Sequence, residues 1–89
     1  MIKTTVLIIN KLGLHARASA KFVSTTMRFQ SQIEVTCQSK KVNGKSIMGV
    51  MMLAASQGSE LTLDIDGPDE TDMQDALITL INDRFGEVE

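Results

Sequence analysis

The residues best able to do chemistry in this 89-residue sequence lie at positions 12–17, which read Leu-Gly-Leu-His-Ala-Arg. His15 is the only histidine, and histidine is the side chain whose charge changes between about pH 5 and 8. Its neutral imidazole is a nucleophile, and the guanidinium of Arg17 offers a planar set of donors that matches phosphate oxygens. Gly13 permits a close approach of the backbone or an unusual backbone angle. The segment has the groups needed to attach a phosphoryl group to histidine and release it again.

A helix that starts directly after His15 would strengthen such a site. Apolar residues recur at helical spacing from Ala16 to about Arg28, which makes His15 the N-cap residue. The backbone amides of Ala16, Arg17 and Ala18 would then lack helical acceptors and form an anion-binding helix terminus. A surface histidine that only caps the helix fits the same spacing, and the spacing alone favours that simpler interpretation.

A second segment of interest covers residues 42–51, with the sequence Val-Asn-Gly-Lys-Ser-Ile-Met-Gly-Val-Met. Ser46 is predicted to be the N-cap of a short helix that reaches about Leu53, and an ordinary cap is all that the residues alone favour. A helix this short cannot bury every side, and exposed methionines form adaptable docking surfaces. We therefore expect Met48 to be exposed and Met52 to be buried.

Positive and negative charges are concentrated in different halves of the chain. Residues 1–45 contain eight lysines and arginines and one acid, whereas residues 46–89 contain one arginine and ten acids. This division indicates a basic face for an anionic ligand or partner, and attraction between the halves within the fold explains it equally well. Basic side chains beside the short helix would guide acidic partners to its apolar residues. The residues assigned to this basic rim and docking surface are Lys11, Lys21, Lys45, Ile47, Met48 and Met51.

The remaining sequence supplies the elements that would position these segments. Strand-forming or alternating residues predict strands over residues 2–9, 32–37 and 60–66, and residues 40–42 form a short hairpin partner. Strands that alternate in this way are covered on one face only. The order strand, helix, strand, strand, short helix, strand, helix therefore predicts an α+β fold. It is an open-faced two-layer sandwich with a four-stranded antiparallel sheet and helices on one face.

Apolar stripes predict which side of each long helix is buried. The predicted stripe of the first helix consists of Ala16, Ala20, Val23 and Met27. The last helix is predicted to be capped by Asp69. Its stripe consists of Met73, Ala76, Leu77, Leu80 and Ile81.

Length and composition restrict the class of protein further. The chain can bury one modest core, so residues 1–89 are predicted to form a single domain. No apolar run reaches the roughly 20 residues of a membrane span, and no secretory signal pattern is present, so we expect a cytoplasmic protein without membrane insertion.

Cys37 is the only cysteine, which excludes an internal disulfide and, with a single histidine, a Cys/His zinc cluster. We expect Cys37 to be a small buried apolar residue. We expect no metal, no cofactor and a monomer. The acidic isoelectric point of about 5.3 and the absence of Trp and Tyr argue against nucleic acid as a partner.

Both segments resemble the motifs of one family. Residues 12–17 are similar to the active-site motif of HPr, the histidine phosphocarrier of the bacterial phosphoenolpyruvate:sugar phosphotransferase system, and residues 42–51 are similar to its regulatory-serine segment. The resemblance spans essentially the whole chain, including the element order and the intervals between motifs. It implies that His15 receives a phosphoryl group from phosphorylated enzyme I, on the ring nitrogen nearer the backbone, and passes it to an enzyme IIA. It also implies that Arg17 steadies the phosphoryl group, aided by the amides of Ala16 and Arg17.

The resemblance carries two further implications. Ser46 would be an inhibitory phosphorylation site for HPr kinase/phosphorylase, and a phosphate is tolerated at a helix N-terminus. The family usually has proline directly after the arginine, where this chain has Ala18. Proline suits a first helical turn and lacks an N–H. Ala18 therefore offers an additional amide and puts the rigidity of that turn in doubt.

Three other functions remain open from the sequence. A nitrogen-related carrier of the same family would use the same histidine for regulatory signalling, although residues 45–51 favour the sugar carrier. A binding module without chemistry would act through the state of Ser46, and the presence of His15 argues against it. A small RNA-binding α+β domain is the most distant alternative. A phosphocarrier would be a component of a phosphotransferase system rather than an independent enzyme.

Overall fold

The sheet has four strands, which are β1 Ile2–Leu7, β2 Gln32–Cys37, β3 Lys40–Asn43 and β4 Glu60–Asp66. Apolar and polar residues alternate along β2 and β4. The structure is a computed structural model, and it describes all 89 residues. The strands lie in the order β1-β4-β2-β3, and every neighbouring pair is antiparallel. Along β4 the apolar residues Leu61, Leu63 and Ile65 are fully buried, whereas the residues between them are partly exposed.

Three helices complete the βαββαβα order that the sequence predicts. They are α1 Ala16–Thr26, α2 Ile47–Met52 and α3 Glu70–Asn82, and a short turn, Arg84–Gly86, follows α3. The three helices and one face of the sheet enclose one core of 18 buried apolar residues. The opposite sheet face remains exposed at Lys3, Thr5 and Leu7 of β1. The predicted open-faced two-layer sandwich is thus confirmed. No helix of the chain is long and apolar enough to cross a membrane.

The buried face of α1 differs from the predicted stripe. Of the four predicted residues only Val23 is buried, and Met27 is 62% exposed. The residues of α1 that are buried are Ala18, Ser19, Phe22, Val23 and Thr26. Two of them, Ser19 and Thr26, are polar, and a stripe of apolar residues does not include them. Their hydroxyls are satisfied inside the protein, since Ser19 donates to the carbonyl of Leu14 at 3.1 Å and Thr26 donates to that of Gly44 at 2.9 Å.

The short helix α2 also corrects one prediction. Met48 is exposed as predicted, but Met52 is 65% exposed and not buried. The inward positions of this segment are taken by Val50 and by Leu53 directly after the helix, both of which are buried. Because a six-residue helix has room for few inward positions, Met52 is left on the outside. Cys37 is buried and free, as expected.

The start of α3 is tied to the connection between α1 and β2. Asp69 occupies the N-cap position, but its side chain does not cap the helix. Its carboxylate instead accepts hydrogen bonds from the backbone amides of Gln30 and Ser31, each at 2.9 Å, and from the hydroxyl of Ser31. The bond from the Ser31 hydroxyl, followed by that from the Gln30 amide, lowers the pKa of Asp69 below its ordinary value of 3.8. This network joins distant parts of the chain at the end of the molecule where α3 begins.

Candidate functional site

The N-terminus of α1 is built as an anion-binding helix end. His15 is the N-cap residue with an extended backbone, and its side chain makes no capping hydrogen bond. The helix starts with the Ser19 amide donating to the His15 carbonyl at 2.8 Å. The amides of Ala16, Arg17 and Ala18 have no acceptor within the helix by its geometry and none elsewhere in the chain. The first turn contains no acidic residue, so no side chain of α1 itself neutralises the positive end of the helix dipole.

Gly13 fixes the position of this helix end against the loop after α2. Its φ of 66° lies in the left-handed region, which favours glycine. A Cβ atom at Gly13 would lie 2.4 Å from the carbonyl oxygen of Ala55. The next amide, that of Leu14, donates to the same carbonyl at 2.8 Å. The close approach that the sequence assigned to Gly13 is therefore made to Ala55.

The imidazole of His15 has one engaged nitrogen. Its Nε2 is hydrogen-bonded to Oε2 of Glu87, and the His15 side chain is 27% exposed. The other carboxylate oxygen of Glu87 accepts from the Asn10 side-chain amide at 3.0 Å. Burial raises the pKa of Glu87, but the hydrogen bonds from His15 and then Asn10 outweigh it and lower the pKa overall. An ionised carboxylate only accepts hydrogen bonds. Nε2 is therefore the protonated nitrogen, which leaves the lone pair on Nδ1 in the neutral ring.

Glu87 and Asn10 are the site residues that sequence reasoning missed. Glu87 lies 72 positions from His15 along the chain and in no motif, so no local spacing could connect the two. Asn10 directly follows the strand predicted over residues 2–9. It is completely buried, and its amide group also donates to the carbonyl of Gly13 at 2.9 Å. A fully buried asparagine next to the histidine segment is a signal that only the structure reveals.

Arg17 differs from the other basic residues that the sequence singled out. Its side chain is exposed and forms no salt bridge or hydrogen bond within the protein. The ammonium of Lys21 donates to the carbonyl of Phe85 at 2.6 Å, and that of Lys45 donates to the carbonyl of Phe29 at 2.8 Å. These bonds hold the two lysines in place without neutralising their charge.

Ser46 is the N-cap of α2, and its hydroxyl accepts a hydrogen bond from the Gly49 amide at 3.0 Å. The predicted cap is therefore present. The exposed apolar residues of α2 are Ile47, Met48, Met51 and Met52, and α2 packs against α1, whose N-terminus holds His15. Leu12, three residues before His15, is 68% exposed as well and is not among the predicted docking residues.

A protein of this fold, with a partly exposed imidazole at a helix end that favours anions, has the character of a small protein that carries phosphoryl groups. Residues 2–83 match the sequence model of a family described as the PTS HPr component phosphorylation site. The chain belongs to this HPr family, the phosphocarriers of the phosphotransferase system.

Individual relatives support the assignment over the full length. The chain is 55% identical over 89 residues to a phosphocarrier protein HPr of Neisseria meningitidis, and the match covers both proteins completely. Its structure superposes with a TM-score of 0.95 on the crystal structure of HPr-C-His from Thermoanaerobacter tengcongensis, with 49% identity and complete coverage of both chains. A crystal structure described as an HPr dimer from the same organism gives a TM-score of 0.78 at 50% identity, and it covers 98% of this chain and 100% of that one.

Proposed function

We propose that His15 is the residue on which this phosphocarrier holds the phosphoryl group, between phosphorylated enzyme I and an enzyme IIA. The observation that carries the proposal is a partly exposed imidazole whose Nε2 is bonded to Glu87 and whose Nδ1 has no partner in the protein, set at a helix N-terminus with free amides. Nδ1 attacks the phosphorus of the donor, the donor bond to phosphorus breaks, and its electron pair stays with the donor atom. Transfer to enzyme IIA repeats the same exchange with Nδ1 as the leaving atom.

Arg17 and the first amides of α1 hold the transferred group in this proposal. The phosphoryl oxygens carry about two negative charges, which the positive end of the helix stabilises. Ala16 and Arg17 are exposed residues with amides that have no acceptor in the protein, and we assign the direct contacts to these amides, whereas Ala18 is completely buried. The amide of Ala18 then contributes through the dipole of the helix. The free guanidinium of Arg17 supplies charge-assisted hydrogen bonds to the same oxygens.

The exposed apolar surface beside the site is the proposed docking surface for both enzymes. Donor and acceptor must reach the same nitrogen atom, so they use the same surface in succession. Ile47, Met48 and Met51 provide its apolar part, and flexible methionines adapt to more than one partner. Lys21 is the basic residue proposed for its rim, where its charge favours acidic partners. The Lys45 ammonium is bonded to the Phe29 carbonyl, beyond the C-terminal end of α1 and away from His15.

Ser46 is proposed as a regulatory site for HPr kinase/phosphorylase. Its hydroxyl is half-buried at the N-terminus of α2, where a phosphate is tolerated by the helix itself. The same phosphate adds about two negative charges to the surface that acidic partners would meet. Inhibition would therefore come from repulsion and desolvation during docking, with little change in the fold.

We also propose that residues 1–89 act as one monomeric domain in the cytoplasm. One continuous core supports the single domain, and a monomer leaves the surface around His15 open to both enzymes. The dimer reported for the Thermoanaerobacter tengcongensis relative makes the oligomeric state worth measuring. A sedimentation experiment that gives the mass of one chain at micromolar concentration would support the proposal, and the mass of two chains would overturn it.

The proposal for His15 is tested by incubating the protein with phosphoenolpyruvate and enzyme I and measuring its intact mass. We expect one added phosphoryl group that is lost in brief acid treatment and is absent in His15→Ala. The mass of an established carrier in the same mixture shows that enzyme I is active. If no phosphoryl group is added although enzyme I is active, the proposal for His15 is wrong, and the protein is a folded binding module. A group that persists in His15→Ala would move the acceptor to another residue.

A further inference from the structure

The segment after α3 folds back over the site through a strained turn. Arg84, Phe85 and Gly86 have φ values of 55°, 54° and 79°. Two of these residues carry side chains that disfavour the left-handed region, so other contacts must hold the turn. Phe85 is completely buried in the core, and the Lys21 ammonium donates to its carbonyl at 2.6 Å.

Contacts between Lys11 and Glu89 fix the chain on the C-terminal side of Glu87. The backbone amide of Lys11 donates to the carbonyl of Glu89 at 2.6 Å, and the Lys11 ammonium lies 3.5 Å from the Glu89 carboxylate. Glu87 is thus fixed between Phe85 and Glu89, with its side chain only 17% exposed. The Asn10 amide holds the carboxylate oxygen that does not face His15.

We propose that Glu87 is a positioning residue for phosphoryl transfer at His15, an inference that rests on the proposed function. Its carboxylate accepts a hydrogen bond from the protonated Nε2 of His15, and this bond fixes the tautomer and the orientation of the ring. Nδ1 is then kept as a lone pair for attack on phosphorus. The carboxylate lies on the side of the ring away from Nδ1. It therefore acts through His15 and does not contact the phosphoryl group.

The same contact also stabilises the carrier after transfer. The electron pair that forms the new bond comes from Nδ1, so the imidazole becomes more positive when it holds the phosphoryl group. A carboxylate at Nε2 offsets that charge. An amide in place of the carboxylate still accepts one hydrogen bond but carries no charge. The charged part of the interaction can therefore be removed without removing the side chain.

The test compares wild-type protein with Glu87→Gln in single-turnover transfer from phosphorylated enzyme I, with Glu89→Gln as a matched control. Glu89 lies in the same segment and pairs with Lys11, so its variant measures the effect of loosening the segment alone. Charge-assisted hydrogen bonds are roughly twice as strong as neutral ones. We expect Glu87→Gln to reduce the maximal transfer rate about tenfold with little change in half-saturation, and Glu89→Gln to transfer at close to the wild-type rate.

A spectroscopic measurement separates positioning from a structural role. The ¹⁵N shifts of the imidazole report which nitrogen carries the proton. We expect the Nε2–H tautomer to dominate in wild-type protein and to be less populated in Glu87→Ala. A Glu87→Gln variant with the wild-type maximal rate would overturn the inference. A variant that only needs more phosphorylated enzyme I to reach half of an unchanged maximal rate would overturn it as well. If His15→Ala is still phosphorylated, the proposed function itself fails, which is a different result.

Discussion

Arg17 is the basic residue closest to His15 in the sequence, and no group of the protein engages its guanidinium. A free guanidinium next to a helix N-terminus keeps its donors available for an incoming anion. Removal of the Arg17 side chain therefore breaks no hydrogen bond or salt bridge of the folded protein.

We predict that Arg17→Ala slows transfer from enzyme I by about 10-fold to 100-fold, the range that loss of a charge-assisted hydrogen bond supports. Arg17→Lys should recover part of the rate, because an ammonium supplies charge without the planar pair of donors. Initial rates at fixed enzyme I measure the effect, and thermal unfolding should be unchanged. Equal rates for Arg17→Ala and wild type would mean that the guanidinium does not meet the phosphoryl group.

His15 and Arg17 could be identified from the sequence because they lie two positions apart in one motif. Glu87 could not, since its contact with His15 depends on the turn of Arg84 to Gly86 after α3. The two cases differ in how far apart the residues lie along the chain. Spacing within a motif identifies residues at one helix terminus, such as His15 and Arg17, whereas Glu87 comes from the other end of the sequence.

At the scale of elements, α2 combines a structural cap and a docking surface in six residues. The Ser46 hydroxyl bonds to the Gly49 amide at 3.0 Å, and the exposed apolar residues follow directly. A change at Ser46 can therefore affect stability, docking or both, and two substitutions separate these effects.

We predict that Ser46→Ala lowers the free energy of unfolding by about 1 kcal/mol, because the cap is lost, while transfer stays close to wild type. Ser46→Asp should keep the cap and the stability but slow transfer, since it adds negative charge to the docking surface. Urea unfolding and single-turnover transfer measure the two properties. Wild-type transfer in Ser46→Asp would contradict the electrostatic account of regulation.

The inward residues of β2 and β4 could be predicted, because alternation of apolar and polar residues shows which face of each strand is buried. The buried faces of the helices could be predicted less well. The inner face of α1 includes Ser19 and Thr26, whose hydroxyls find partners that no pattern of apolar residues reveals. Met52 is exposed because Val50 and Leu53 occupy the few inward positions of this short segment, and hydropathy does not show which of its apolar residues are buried.

At the scale of the whole molecule, the carboxylate of Asp69 connects the start of α3 to the segment before β2. Its pKa is lower in the folded protein than the ordinary value of 3.8. A carboxylate with a lowered folded-state pKa contributes stability that is fully present above the unfolded pKa. That contribution is lost as the pH falls through the folded pKa.

We therefore predict that Asp69→Asn is less stable than wild type at neutral pH and that the gap narrows as the pH falls below about 3.8. The amide offers one acceptor oxygen, so it cannot reproduce the bonds from Gln30 and Ser31 to separate oxygens. Urea midpoints of both proteins from pH 7 to pH 3 measure the gap. A gap that is independent of pH would show that the ionised carboxylate is not what stabilises this connection.

A ¹⁵N and ³¹P spectrum of protein phosphorylated by enzyme I and phosphoenolpyruvate shows which nitrogen of the imidazole holds the phosphorus. We expect phosphorus bonded to Nδ1 of His15, with the proton retained on Nε2 beside Glu87. Phosphorus on Nε2, or on any residue other than His15, would contradict it.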